Sequence, residues 1–179
     1  MTKIQKTLFC IGIFLITFSS GFNLQNVTAK EYYKTASTAS MLIIRENEEK
    51  EEEICLQLRE NTGWMDGCWD TAVTGHVKKG ESLKKAAIRE CKEEADIDVT
   101  EDDLEFVCLN HNNLEIVGDH YCIYFKIKKF DGEIKIGEPD KCADIKWFKI
   151  KSLPLNIVPM HKPAIESYLN GNLYNQLNW

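Results

Sequence analysis

The sequence predicts an α/β fold of the α+β type, a mixed β-sheet sandwiched between helices. Three observations point to it. Short apolar runs with period-two alternation outnumber helical stretches. The two helical stretches are far apart in the chain. No repeat and no internal shift in composition marks a second domain. With 179 residues, 44% hydrophobic and 28% charged, the chain suits one domain plus a short appendage.

The appendage comes first. Lys3 and Lys6 precede an apolar run at 8–18, and small and polar residues follow, ending in Val27, Thr28 and Ala29. This is the pattern of a secretory signal peptide cleaved after Ala29. The run is too short to span a bilayer, which takes about 20 residues. A retained hydrophobic tail, or a start codon placed too far upstream, is the alternative. The domain is therefore expected at 30–179, exported if the leader is used and cytoplasmic otherwise.

Residues 31–40 read as a polar lead-in, and a strand begins at 41–44. The nearly all-charged run 46–53 reads as a solvated hairpin turn rather than an acidic binding loop, because Ile54, Leu56 and Leu58 then alternate cleanly. Residues 61–67 form a turn-rich loop, and 69–77 hold a short strand ending at Gly75. Residues 82–95 predict a helix. Ser82 is its N-cap, and Leu83, Ala87, Ile88, Cys91 and Ala95 fall in one stripe. Strands are expected at 104–109, 121–130, 133–136 and 145–148, with Asp131 and Gly132 forming a turn between the second and third. Leu153 and Pro154 end the last strand. A final helix covers 163–170, with Pro163 in its first turn and Gly171 just past its end.

The net charge of -6 gives a nucleic-acid polymer little to gain from the protein's field. Carboxylates gathered in one place need a cation instead. Of the seven cysteines, Cys10 lies in the leader. An even remainder could form disulfides in an exported protein, yet most sit inside apolar runs, and buried free thiols are the preferred reading. No CxxC pair suggests zinc.

The chemistry is concentrated at 75–97. Glu90, Glu93 and Glu94 are spaced i, i+3, i+4, which puts three carboxylates on one side of the helix. Like charges at that spacing repel, and Arg89 compensates only in part. A hard divalent cation with oxygen ligands would compensate better. Most acidic helix faces are merely solvated, so the preceding loop decides. Gly75, Glu81, Arg89, Glu90, Glu93 and Glu94 match, spacing for spacing, the run Gly, five residues, Glu, seven residues, Arg-Glu, two residues, Glu-Glu. At background frequencies near 7% a chance match to all six is roughly one in 10⁵.

This stretch resembles the Nudix box, and the likeness extends more weakly across about residues 38–165 through Trp69, Trp147, Phe148, Leu153 and Pro154. There are departures. Asp96 replaces the glycine after the helix, which asks an aspartate to enter the left-handed region at roughly 1 kcal/mol. Cys91 replaces an aliphatic residue, and Thr74 stands where many relatives carry another glycine.

The resemblance implies a Nudix-like mixed sheet between helices and a Mg²⁺-dependent (or Mn²⁺-dependent) hydrolase of diphosphate linkages. It assigns Glu90 and Glu94 as principal metal ligands, Glu93 as a third ligand or the base that orients water, and the carbonyl of Gly75 as a further ligand. Arg89 would hold a glutamate in place, and Glu81 would brace the loop. Glu138 is the candidate for the additional acid that many relatives supply from a later loop. The implied partner is a small nucleotide-type substrate, with no nucleic-acid polymer, no stable membrane insertion after signal cleavage, and a homodimer as the one oligomer considered. The competing reading is a Nudix-fold module that binds nucleotides or proteins without catalysis; an isopentenyl diphosphate isomerase ranks lower.

Other residues carry weaker signals. His76 is as suited to touching substrate as to filling structure. His111, His120 and His161 lack metal-ligand spacing and read as ordinary. Trp64, Trp69 and Tyr121 could each stack on a base, though core packing is the simpler reading. No Gly-x-Ser-x-Gly occurs, and Cys91 lies on the face expected to be buried. N-terminal sequencing of the mature protein tests the leader: a chain starting at Lys30 is expected, and one starting at Met1 would refute cleavage.

Overall fold

The computed structural model describes residues 34–114 and 118–178, so the leader expected at 1–29 lies outside the described residues. In chain order the elements are β1 (Ala36–Glu46), β2 (Glu52–Arg59), β3 (Trp69–Thr71), β4 (Val73–His76), α1 (Leu83–Ala95), β5 (Leu104–Leu114), β6 (Gly118–Ile127), β7 (Cys142–Lys149), α2 (Lys162–Asn170) and β8 (Tyr174–Leu177). Among the described residues eight strands form one sheet. Its main path is β3-β2-β1-β6-β5-β8, with β4 paired to β1 and β7 to β2. The β1–β6 and β5–β8 pairs are parallel and the rest antiparallel, so the sheet is mixed.

Period-two alternation sends side chains of the central strands to opposite faces, and each face has its own core. Ala39, Met41 and Ile43 of β1 and Ile123, Phe125 and Ile127 of β6 pack toward α1. Leu42, Cys122 and Tyr124 pack toward α2 with Ala164 and Ile165. The helices thus lie on opposite faces, as expected.

Helix α1 seats closely because the face it buries is small. Ala86, Ala87, Cys91 and Ala95 are fully buried. The Ser82 side chain accepts from the Lys85 amide at 3.2 Å, a cap that contributes about 1 kcal/mol. Asp96 ends the helix at φ 52°, ψ 30°, the left-handed conformation its position demanded. Lys92 sits 2.9 Å from its carboxylate. The cysteines among the described residues are all free, and all but Cys68 are buried. The charged run after β1 is a hairpin turn: Glu46 faces Glu52, and Asn47 donates to the Glu51 carbonyl at 2.9 Å.

Three expectations need correction. The lead-in expected to be polar coil is strand from Ala36, because residues 38–41 pair with β4 on one side and 36–43 with β6 on the other. Strand β8 was not expected; its four residues gain order from pairing with β5. Residues 133–136 are not a strand. That segment runs along the C-terminal end of α1, where Lys135 donates to Ala95 O at 3.0 Å and Gly137 to Glu94 O at 2.9 Å. Carbonyls at a helix end lack intrahelical partners, and here an unrelated segment supplies them.

The approach is close enough to require glycine. A Cβ on Gly137 would stand 2.1 Å from the Glu93 carbonyl oxygen, a backbone atom that cannot swing aside. Gly137→Ala is expected to cost about 1–3 kcal/mol in urea denaturation, the usual range for overpacking. Unchanged stability would show that this contact does not hold the segment.

Candidate active site

The site is assembled where β4 ends, α1 begins its second half and the loop before β7 returns. Strand β4 runs antiparallel to β1 with Gly75 opposite Ala39 and His76 opposite Thr38. Its main chain lies directly against the helix. A Cβ on Gly75 would fall 2.0 Å from Cδ and Oε1 of Glu90, so only glycine leaves room for that carboxylate. One helical turn on, Glu94 Oε2 accepts the Thr74 amide at 2.8 Å. Two successive residues of β4 are therefore matched to two glutamates of α1.

Arg89 ties the parts together. Its Nε and Nη2 donate to the two oxygens of Glu81 at 2.9 and 3.0 Å, Nη2 also donates to the His76 carbonyl at 3.1 Å, and Nη1 reaches Glu90 and, at 3.0 Å, Glu93. These bonds hold Glu81 down at about 2, with the Lys78 amide helping. They push the Arg89 guanidinium above its ordinary value. Glu81 thus braces the loop against α1.

Glu94 is in the opposite situation. Burial pushes its carboxyl up to about 8; the Thr74 amide pulls it down, but Glu90, Asp70 and Glu138 add to the rise. Four acids crowd one place with little opposing charge close to Glu94. Glutamate carboxylates beside a peptide strand form an all-oxygen donor set, which suits a hard divalent cation. The fit is partial as the side chains stand. Glu93 is 48% exposed and turned to Arg89 and Lys78, and among the described residues no three His, Cys, Asp or Glu side chains converge as a finished shell.

Next to Glu94 opens a cavity of about 570 Å³, a size that suits a small organic ligand. Gly75, His76, Glu94 and Glu138 line it, whereas Glu90 and Glu93 do not. Glu138 is paired there with Lys141 at 2.8 Å. The far wall is polar and fixed. Asp70 is 1% exposed in its side chain; Arg59 Nη1 binds its Oδ2 at 2.5 Å, and His161 Nε2 approaches its Oδ1 to 2.5 Å without the alignment of a hydrogen bond. The other ring nitrogen of His161 lies 2.8 Å from the Tyr124 hydroxyl. Burial opposes the charge on Asp70, but His161 and Arg59 more than offset that and hold its carboxyl below the usual range.

The NUDIX domain family matches residues 34–168, three quarters of the chain. The chain belongs to the Nudix family. Solved structures agree on the fold. A MutT Nudix hydrolase from Burkholderia pseudomallei is 22% identical at a TM-score of 0.66, with 75% of this chain and 98% of that one covered. A MutT protein from Methanosarcina mazei Go1 is 20% identical at 0.63, covering 79% and 99%. A C. elegans Ap4A hydrolase is 21% identical at 0.54, covering 75% and 99%. No curated protein matches the chain. As a Nudix hydrolase it belongs to a class that acts on small nucleotide derivatives and generally uses divalent metals.

Of the residues expected at the Nudix site, Gly75, Arg89, Glu90 and Glu94 are brought together, Glu93 stands at the outer edge, and Glu138 arrives from the loop after Gly137. Among the aromatics, Trp64 lines the cavity, whereas Trp69 packs on Phe148 and Tyr121 on His111. Sequence reasoning missed Arg59, Asp70 and Lys141 and read His161 as ordinary. A signal existed for two of them: alternation that puts Ile54, Leu56 and Leu58 on one side of β2 leaves Gln57 and Arg59 on the other, and both line the cavity. An aspartate in a short buried strand is also a charge in need of a partner.

Asp70→Asn removes the countercharge of Arg59 and the carboxylate that His161 faces. It is expected to lower stability by about 3–5 kcal/mol at pH 7, as for a buried ion pair that loses one partner. The wild-type carboxyl titrates below its unfolded value, so its contribution is complete at neutral pH and fades as pH falls below the ordinary carboxylate range. Urea titrations of both proteins should therefore converge in acid; a gap that widens in acid would contradict the assignment.

Proposed function

We propose that this Nudix hydrolase uses Mg²⁺, or Mn²⁺ in its place, to cleave the diphosphate linkage of a nucleoside triphosphate or another nucleoside diphosphate derivative. The single observation that supports it most is Glu94: a partly buried carboxyl pushed up by desolvation and crowded by Glu90, Asp70 and Glu138, at the edge of a cavity of nucleotide size. An isolated buried carboxylate is costly, and it is retained here among further acids instead of being paired with a cationic side chain.

In this reading Glu90 and Glu94 hold the cation with the Gly75 carbonyl, Glu93 is the third ligand or the base, and Glu138 is the acid supplied from the later loop. When bound, the cation would neutralise the diphosphate, polarise a P–O bond and acidify a water. The protein's own part is positional. Arg89 holds Glu90 beside the strand and tethers Glu93 at the outer edge, and it anchors the carbonyl of His76, so the strand end is tied to the helix. The Thr74 amide fixes the orientation of Glu94. A glutamate at this wall accepts the proton lost by the attacking water. Lys141, paired with Glu138, is a cation at the cavity within this reading's phosphate region.

The reaction is tested by a hydrolysis screen over nucleoside triphosphates, ADP-ribose, dinucleoside polyphosphates and NADH, with and without Mg²⁺. Turnover that requires the metal is expected. Glu94→Gln should lower it by roughly a hundredfold or more while melting, metal-free and above the pH at which Glu94 ionises, at an equal or higher temperature, since the amide there removes a charge that burial penalises. Metal-independent turnover, or full activity in that variant, would overturn the proposal.

A further inference from the structure

The loop that brings Glu138 to the cavity has no strand or helix of its own between residues 132 and 141. Such a segment is ordinarily the loosest part of a domain. This one is held on both sides of Glu138. Before it, the Gly137 amide donates to the Glu94 carbonyl at 2.9 Å. After it, Pro139 opens a turn. The Glu138 carbonyl accepts the Lys141 amide at 3.0 Å and the Cys142 amide at 3.1 Å, and the Lys141 carbonyl accepts the Glu60 amide at 2.8 Å, just past the end of β2. A proline fixes φ at about −65°, which suits the first corner of such a turn.

The anchor at Gly137 joins two acids of the site. Glu94 presents its carboxyl to the cavity and its carbonyl to Gly137. One backbone hydrogen bond and one residue therefore separate it from Glu138, which lines the same cavity. The bond exists because Gly137 has no side chain. A Cβ there would stand 2.1 Å from the Glu93 carbonyl oxygen and 2.9 Å from the Glu94 carbonyl carbon, both main-chain atoms of a packed helix. The requirement is one of space, since Gly137 does not adopt a positive φ. Any other residue must lift the loop from α1, and Glu138 is the next residue along the chain.

Gly132 provides a contrast within the same loop. It sits at φ 100°, and a Cβ there would meet the Asp96 carbonyl oxygen at 3.4 Å, an ordinary contact. Alanine at that position strains the backbone without pressing on the turn of α1 that carries Glu93 and Glu94.

We propose that Gly137, with Pro139 as the other side of the bracket, positions Glu138 against Glu94 and acts on the site only through Glu138. The proposal rests on the metal-dependent reading given above and adds to it a positioning residue outside the Nudix box.

The test is Mn²⁺ binding to the full chain, followed by the electron paramagnetic resonance of the free ion, with urea denaturation in parallel. Gly137→Ala and Glu138→Gln should each weaken Mn²⁺ binding by about tenfold, the lower end of what is lost when a group that orients a ligand is removed. The double variant should bind no more weakly than Glu138→Gln, because both changes remove the same contact. Gly132→Ala should lower stability yet keep the wild-type affinity. Wild-type affinity in Gly137→Ala, a double variant weaker than Glu138→Gln, or a loss in Gly132→Ala as large as in Gly137→Ala would each overturn the proposal. If Gly137→Ala does not fold, Pro139→Gly loosens the bracket from its other side. Its affinity should fall, with no further loss on adding Glu138→Gln, and an unchanged affinity would overturn the proposal. Wild-type protein that binds no Mn²⁺ would refute the metal reading and the proposal with it, whereas every other failure leaves the metal reading standing.

Discussion

The packing of a bare stretch of β4 against the acidic side of α1 is the constraint on which the rest depends. A strand edge and a helix carrying several carboxylates do not approach one another freely. They do so here because Gly75 has no side chain to collide with Glu90, and because Arg89 spans the junction, bonding the loop glutamate, two helix glutamates and the carbonyl of His76 at once. One guanidinium thus stabilises a loop, a helix and a strand end. Its planar fork is suited to that number of acceptors in a way that a lysine ammonium is not.

That junction also creates the electrostatic imbalance that gives the site its chemistry. Arg89 serves Glu81, Glu90 and Glu93 but not Glu94, which takes only a backbone amide. The negative potential there is left standing. On the far wall the balance is reversed: Asp70 is met by both Arg59 and His161, and its charge is settled. The cavity therefore has one end that lacks positive charge and another whose donors are held rigidly.

Much of the fold and part of the site were legible in the chain. The period-3.6 stripe, Ser82 and the position of Asp96 located α1 within a residue, and the alternation at Ile54, Leu56 and Leu58 located β2. Local physics sufficed in these places, because the signals act over one or two turns. The misread segments are those whose conformation is decided by distant partners. Residues 133–136 have the composition of a strand, yet the backbone groups they satisfy belong to the end of α1. The start of β1 looks polar because its neighbours on both sides, not its own side chains, make it a strand.

Residue by residue, the chain alone determined which side chains could carry charge chemistry and at what helical spacing, since 3.6 residues per turn brings Glu90 and Glu94 to one side whatever surrounds them. It also determined the family, because six residues at set intervals constitute the box. Only the tertiary structure decided which acids face the cavity, that Glu93 turns outward to Arg89, and that Arg59, Asp70 and His161, separated by as many as 102 positions, share one buried contact. The reason is that burial and charge pairing are properties of neighbours in space. A sequence specifies those neighbours only through the packing of the whole sheet, and no interval along the chain encodes them.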